Sequence, residues 1–484
     1  MSVFQVQPKG LPYLFFTEMW ERFGFYVVQG MLVLYMSKAF GLSDNESYTI
    51  TGIFTALAYI APFAGGYIAD RVLGFKTSII IGGIFLALGY AVMALPWSHG
   101  FYLSLATIII GSGLFKPNVS SLLGSLYEPG DPRREAGFTL FYIGINLGVL
   151  LAGVSSGFVK DYLGWHAGFA LASVGLLLGV ITFVCGHKHL AKIQNTAFIV
   201  APASAGTKYV VIAGSIISIF LISELLQTKF LAQWLLPVTG IVLLTYLLIL
   251  TFKQNLKDRQ AMLALIALIS ASVIFWMIFL QIFFSASLFI ERLVDRRYFN
   301  FTIPSTVFYA LESMFVILLG PIFAWSWQTL GEKFRNPAPF LKFILAIVFV
   351  GLAFLVLSIS THYYNNHFLV SPFWILLSYC LLTIGEMFLS PIGLSAVTTL
   401  SPRKFLGMMM GMWFVAAGYG GQFAGLLAKL SNIPDNVSSV NALAIYGDAF
   451  MDYALIAFAV SALLLILYFN MRKLFVGAFN LADK

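Results

Sequence analysis

Three charged residues, Glu18, Glu21 and Arg22, lie within Thr17-Glu18-Met19-Trp20-Glu21-Arg22-Phe23, in the middle of an otherwise apolar run. A charged side chain near the centre of a bilayer costs about 2.5–3.5 kcal/mol on insertion scales, so three within little more than one turn are not expected to face lipid. Helical spacing lets them meet, because Glu18 and Arg22 are i,i+4 and Glu18 and Glu21 are i,i+3. Two carboxylates sharing one guanidinium can exchange protons, and proton handling is the chemistry this cluster suggests. Three further charges interrupt apolar stretches: Lys116 in Gly113-Leu114-Phe115-Lys116-Pro117-Asn118, Glu312 in Tyr309-Ala310-Leu311-Glu312-Ser313, and Glu386 in Gly385-Glu386-Met387-Phe388-Leu389-Ser390-Pro391. An intramembrane lysine needs a partner, and the first-helix carboxylates are the obvious ones. A lone carboxylate at Glu386, beside a proline that frees backbone groups, is suited to binding an amine.

The elements that position these residues are membrane helices. The chain has 484 residues, is 60% hydrophobic and only 10% charged, and its mean hydropathy is +0.90. Soluble chains carry roughly 25% charged residues, so this composition specifies an integral membrane protein. The net charge of +8 reflects loop cations and does not point to nucleic acid. Cys185 and Cys380 both sit in apolar stretches and imply neither a disulfide framework nor a metal site. The glycine pairs lack the Lys-Ser/Thr of a phosphate loop, and the histidines lack metalloenzyme spacing. No cofactor or metal is expected, with the proton serving as coupling ion.

Fourteen apolar stretches of about 20 residues are legible, at 12–36, 49–69, 76–96, 101–126, 137–159, 168–186, 209–227, 232–252, 262–290, 304–327, 340–360, 371–400, 407–428 and 447–470. Most of the 28 Lys and Arg residues fall in alternate loops, which predicts that both termini are cytoplasmic. Polar breaks at 187–208 and 253–259 divide the chain into an N-terminal six-helix bundle (1–190), a linker with two additional helices (191–258) and a C-terminal six-helix bundle (259–484). A faint echo between Leu73-Gly74-Phe75-Lys76 and Leu330-Gly331-Glu332-Lys333 is consistent with two related halves. Parallel six-helix halves with a midplane site are the layout of major-facilitator transporters. The expected fold is therefore an all-α membrane protein of the major-facilitator type, with two six-helix bundles and two extra helices between them. Gly65-Gly66-Tyr67-Ile68-Ala69-Asp70-Arg71 opens a loop resembling the major-facilitator signature, in which Asp70 and Arg71 would latch neighbouring helix ends. Tyr26, Tyr59, Tyr142, Trp276 and Trp413 are aromatic candidates for lining a site, offering apolar area with a polar tip.

Together the motifs resemble the proton-dependent oligopeptide transporter family, in its bacterial fourteen-helix form. The matching residues are Glu18-x-x-Glu21-Arg22-Phe23-x-Phe25-Tyr26, Gly113-Leu114-Phe115-Lys116-Pro117-Asn118 and Phe141-Tyr142-x-x-Ile145-Asn146-x-Gly148. They continue with Gly385-Glu386-x-x-x-Ser390-Pro391-x-Gly393-Leu394 and Met409-Met410-Gly411-x-Trp413-Phe414. The resemblance covers essentially the whole chain. It implies that Glu18, Glu21, Arg22 and Lys116 couple protonation to transport, and that Glu386 holds the amino terminus of a peptide. It also implies that Tyr26, Tyr59 and Asn146 contact the peptide and that Trp413 lines the cavity. Gln281 and Glu312 are further candidates for substrate contact.

Two departures from the family pattern stand out. Gln29 and Leu280 occupy positions where many members carry an arginine and a glutamate, so an extracellular gate would close without that pair. Leu311-Glu312-Ser313 replaces the usual Leu-Asn-Pro, adding a carboxylate and removing a kink. The function expected is proton-coupled symport of di- and tripeptides by alternating access, in a bacterial inner membrane. A monomer is the expected working unit, with peptide, protons and the lipid bilayer as its partners. The alternatives are a proton-coupled carrier of another small solute, such as an amino-acid conjugate or anion, and a polytopic membrane enzyme. The second would need a polar catalytic constellation near one interface, and the sequence offers none.

Overall fold

A computed structural model describes residues 7–128, 131, 133–190, 204–333, 339–402, 405–434 and 436–470. Most of the polar break expected at 187–208 lies outside the described residues, as do the loop cations Lys192, Arg335, Arg403, Lys404, Arg472, Lys473 and Lys484. The helices are α1 (Leu11–Lys38), α2 (Asp44–Ile68), α3 (Phe75–Met93), α4 (Gly100–Gly124), α5 (Arg134–Leu163), α6 (Trp165–Cys185), the single turn α7 (His187–Leu190), α8 (Ala205–Gln227) and α9 (Lys229–Phe252). They continue as α10 (Leu256–Phe279), α11 (Ser285–Leu293), α12 (Thr306–Lys333), α13 (Pro339–Ser360), α14 (Pro372–Leu400), α15 (Leu406–Ala428) and α16 (Ser439–Asn470). Between α11 and α12 a two-stranded hairpin pairs β1 (Arg297–Tyr298) antiparallel to β2 (Phe301–Thr302).

Each of the fourteen apolar stretches holds a helix. Among the described residues, twelve segments are long and apolar enough to cross a membrane. The remaining two stretches are α1, which carries the charge cluster, and the glycine-rich α15. The fold is the all-α, major-facilitator type that the sequence predicts.

The chain falls into two compact units: Met1–Tyr35 with Leu57–Lys229, and Met36–Ala56 with Phe230–Lys484. In the first unit, small residues let helix backbones meet. A β-carbon added at Gly65 of α2 would collide with the Gly113 carbonyl of α4, and one at Gly82 of α3 would stand 2.8 Å from the Gly111 carbonyl oxygen. Close approach through small residues is the usual way for helices to gain packing energy in lipid, where no hydrophobic drive separates one apolar face from another. The charge-bearing α1 is gripped in the same manner. Gly148 of α5 sits against the Met19 carbonyl, Gly175 of α6 receives the Phe23 ring, and Thr17 Oγ1 lies 3.4 Å from the Gly179 carbonyl oxygen.

In the second unit, α13 packs on α14 and α16, and α10 packs on α15. The first half of α2 joins this unit. Gly52 meets Gly425 of α15, where an added β-carbon would be 3.2 Å from the Gly425 Cα, and Tyr48 Oη lies 3.3 Å from Ser431 Oγ.

The three-way division read from the sequence differs from these units in two respects. The additional helices do not form a separate linker element: α8 packs on α4 in the first unit, whereas α9 belongs to the second. There Thr239 Oγ1 and Tyr419 Oη are 2.9 Å apart, Gly240 abuts the Tyr419 ring, and Gln233 Nε2 donates to Thr49 Oγ1 at 3.3 Å. Residues 36–56, early in sequence, also belong with the C-terminal helices. Polar breaks mark where the chain leaves the membrane, not which helices share contacts. The echoed loops differ as well. Gly74 closes a π-type turn over Ala69–Leu73 at φ 75°, a conformation that favours glycine, while Gly331 lies inside α12.

The Gly65 contact is testable against a glycine in open space, Gly214 of α8, which has nothing within 4 Å of an added β-carbon. Gly65→Ala is expected to destabilise the protein by about 1–3 kcal/mol through overpacking, and Gly214→Ala to be neutral or stabilising by up to about 1 kcal/mol. Thermal melts of both variants in one detergent check this; equal midpoints would contradict the close α2–α4 approach.

Candidate transport site

In the first unit, α1 presents Glu18, Glu21 and Arg22 to its own interior, with relative exposures of 1%, 0% and 5%. Arg22 Nε donates to Glu18 Oε1 at 2.8 Å, and Glu21 Oε2 stands 2.9 Å from the same nitrogen. Glu18 Oε2 and both oxygens of Glu21 are buried without hydrogen-bond partners. One guanidinium nitrogen therefore faces two carboxylates, its proton is donated to Glu18, and Glu21 keeps both oxygens fit to take a proton. The sequence spacing of this triad is realised as expected.

Lys116 adopts an arrangement that the sequence did not specify. Its Nζ lies 4.1 Å from the centroid of the Tyr59 ring and 5.5 Å from that of Phe25. No ion pair joins it to Glu18 or Glu21 among the described residues. The ammonium is held over aromatic faces, a contact worth more where water is excluded. Phe25 meets both Tyr26 and Tyr59 edge-on, at 5.4 and 6.4 Å between centroids. The candidate peptide contacts Tyr26 and Tyr59 thus belong to the shell around the lysine, and both are half-buried. Asn146 of α5 is 5% exposed and donates from Nδ2 to the Tyr142 carbonyl at 3.0 Å. Its helix reaches α1 through Gly148.

Asp70 and Arg71 are exposed on the π-type turn. Asp70 forms no ion pair with another helix end among the described residues, so the latch expected of this loop is not formed at Asp70.

In the second unit, Glu312 of α12 and Glu386 of α14 hydrogen-bond to each other through their side chains. Ser313 Oγ donates to Glu312 Oε2 at 3.0 Å, and Glu386 Oε2 is buried without a hydrogen-bond partner. Two other candidates serve packing. Gln281 is fully buried in a 3-10 turn (Leu280–Phe283), donates to the Ala424 carbonyl at 2.9 Å and accepts from Ser285 Oγ at 2.7 Å. Trp413 of α15 is 5% exposed, fills the notch over Gly393 and meets Phe343 at 6.0 Å between centroids.

A further ion network went unnoticed in the sequence, where Lys38, Arg292 and Arg296 read only as topology signals near helix ends. Arg292 of α11 grips Asp44 at the start of α2 in a bidentate pair, at 2.6 and 2.8 Å. It also donates to Ser37 Oγ at 3.1 Å and Tyr446 Oη at 3.3 Å. Beside it Glu291 pairs with Lys38, and with Arg296 at 3.2 Å. Gln29 and Leu280, which replace the family's usual charged pair, are both buried. The signal that could have revealed the network is complementary charge on neighbouring helix ends.

Among the described residues no cluster of His, Cys, Asp and Glu has the makings of a metal site. Membrane-spanning helices in two units, each with charged groups buried inside it, define a secondary transporter. The chain belongs to the POT family, whose profile matches residues 76–446. POT family members are transporters, not enzymes. The chain is 34% identical over 464 residues to dipeptide and tripeptide permease A of Serratia proteamaculans, covering 95% of this chain and 91% of that one. It is 34% identical over 450 residues to the peptide transporter YePEPT of Yersinia enterocolitica, covering 87% of each. Among solved structures it resembles peptide transporter POT in complex with sulfate, with a TM-score of 0.83, 32% identity and coverage of 97% of this chain and 96% of that one. It also resembles PepTSo2, with a TM-score of 0.85, 26% identity and coverage of 96% and 99%.

The Arg292–Asp44 pair gives a direct test. Asp44 is nearly buried, with 4% of its side chain exposed, against 30% for Arg292. Arg292→Ala strands the carboxylate and is expected to cost about 3 kcal/mol, near the low end for breaking a buried pair. The charge-swapped double variant Asp44→Arg/Arg292→Asp should recover part of that loss. Thermal stability of the three forms checks this; no loss in the single variant would remove the pair as a structural tie.

Proposed function

We propose that the protein is a proton-coupled symporter that imports di- and tripeptides by alternating access and works as a monomer. It sits in a bacterial inner membrane with both termini cytoplasmic, an orientation supported by the cations concentrated in alternate loops. The observation that carries the coupling is the buried Arg22 nitrogen shared by Glu18 and Glu21 at 2.8 and 2.9 Å. With both acids ionised, Arg22 Nε stands between two carboxylates. Protonation of one acid leaves a single carboxylate against the guanidinium, so that its charge can be shared with a second anion. The carboxylate end of a peptide is recognised by Arg22 and Lys116, with Tyr26, Tyr59 and Asn146 around them, and the ammonium end by Glu386. Loss of the proton on the cytoplasmic side returns the second acid to Arg22 and expels the peptide. Relatives named for dipeptide, tripeptide and peptide transport support this choice of substrate.

The driving force is adequate. One elementary charge moving through 100 mV releases about 2.3 kcal/mol, and each pH unit adds about 1.4 kcal/mol.

Two substitutions in proteoliposomes test the reading. A one-unit pH gradient supports about tenfold peptide accumulation per coupled proton. Glu21→Gln is expected to abolish that accumulation while leaving peptide counterflow intact, and gradient-driven accumulation at the wild-type level would refute the coupling role. Glu386→Gln should weaken free-amine peptides by about 1.5–3 kcal/mol, the worth of a hydrogen bond to a charged group, and N-acylated peptides far less. Equal loss for both would rule out ammonium recognition at Glu386. An uptake panel comparing di- and tripeptides with amino acids and nitrate sets the substrate class.

A further inference from the structure

Tyr90 of α3 carries a buried hydroxyl that the coupling scheme leaves unused. Its side chain is fully enclosed, and Oη has no hydrogen-bond partner. A buried polar group without a partner is rare and calls for a reason. The ring lies in a notch that α1 provides at Gly24. A β-carbon added there would stand 2.8 Å from Tyr90 Cε2 and 3.3 Å from Cζ, the carbon that bears the hydroxyl. Gly24 and Glu21 are i,i+3, neighbours about 5–6 Å apart on one face of the helix, so rotation of the Glu21 side chain brings its carboxyl within reach of Oη. Both Glu21 oxygens also lack a donor, because the Arg22 Nε proton goes to Glu18. An idle donor thus stands one turn from two idle acceptors, all within the first unit.

The other groups around Glu21 leave this pairing open. Glu18 offers only acceptors when ionised. Lys116 of α4 is held over Tyr59 and Phe25, and Tyr26 of α1 and Tyr59 of α2 act on Arg22. The charges of α5 lie in its first and last turns, and its Tyr142 is exposed. The titratable residues of α6, His166 and Cys185, sit at its two ends, and Lys76 lies in the first turn of α3. Glu21 and Arg22 are the charges that act on the Tyr90 hydroxyl.

We propose that Tyr90 is a positioning residue of the coupling site, whose hydroxyl donates to Glu21 once that acid has given up its proton. This rests on the reading that Glu21 carries the coupled proton. In the step concerned, the Glu21 carboxyl loses its proton to water on the cytoplasmic side, while Tyr90 keeps its own proton and only shares it as a hydrogen bond. A carboxylate formed in a buried site needs a donor as well as a nearby opposite charge. Arg22 supplies the charge, but its Nε proton is committed to Glu18. Tyr90 supplies the missing donor, and so sets how readily Glu21 lets its proton go and completes the transport cycle. Gly24 is part of the device, because only a residue without a side chain leaves room for the phenol beside the acid.

The test is the initial rate of alanyl-alanine uptake into proteoliposomes of the full-length protein, measured against external pH with the interior pH fixed. Losing a donor that favours the ionised acid makes Glu21 hold its proton more tightly. In Tyr90→Phe the half-maximal point on the alkaline side is therefore expected to move up by about one pH unit, a tenfold gain in proton affinity. An unmoved profile, or one displaced to lower pH, would overturn the proposal. The phenylalanine keeps the ring in its notch and removes only a hydroxyl without a partner, so the thermal midpoint in detergent should not fall; a fall of several degrees would make the hydroxyl structural and overturn it as well. Adding Tyr90→Phe to Glu21→Gln should leave the pH profile of peptide counterflow as it is in Glu21→Gln alone, and a shift there would show that Tyr90 acts through another group. Should Glu21→Gln still accumulate peptide from a pH gradient, the coupling reading itself fails. Accumulation lost in Glu21→Gln with an unmoved profile in Tyr90→Phe removes only the role of Tyr90.

Discussion

The constraint on which this structure depends is the cost of charge in hydrocarbon. Every ionisable group placed at membrane depth must find a partner inside the protein, and the helix packing is arranged to supply one. The triad on α1 illustrates this. Its three side chains sit within a turn of one another, but they stay buried because α5 and α6 come close enough to seal them, through Gly148 against the Met19 carbonyl and Gly175 against Phe23. Bulkier residues at these glycines would push the helices apart and open the cluster to lipid or water. The electrostatics of the site and the small-residue packing around it are thus one design.

The two units solve the same problem with different chemistry. The first holds two acids and two cations: Arg22 Nε stands between both carboxylates, and Lys116 rests on aromatic rings. The second holds two acids with no cation bonded to either among the described residues, and they turn to each other.

Much of this was legible in the sequence, for identifiable reasons. Each membrane helix announces itself by composition, because the bilayer fixes both its length and its apolarity. The α1 triad is visible because its members lie within one turn, where spacing dictates contact. Contacts between residues distant in sequence are another matter. The meeting of Glu312 with Glu386 depends on how α12 packs against α14, which no local pattern encodes. Lys116 followed the aromatic ring of Tyr59, not the nearest opposite charge in the sequence. Gln281 and Trp413 carry the chemistry of ligand contacts, but they are engaged by the Ala424 carbonyl and by Gly393. The assignment of α8 and α9 to different units was equally hidden, because polar loops record topology and not helix partnership.

The Arg292–Asp44 and Lys38–Glu291 pairs tie the end of α1 and the start of α2 to the C-terminal helices, and unlike the α1 triad they are partly open to solvent. Side-chain exposure is 30% at Arg292 and 46% at Lys38, against 6% at Arg22. Mobile ions screen exposed charges over about 8 Å at physiological ionic strength and scarcely reach buried ones. The protein therefore contains two electrostatic systems that respond differently to the bathing solution. Of the two, only the clasp meets the ions of the bathing solution, through the exposed ends of Arg292 and Lys38.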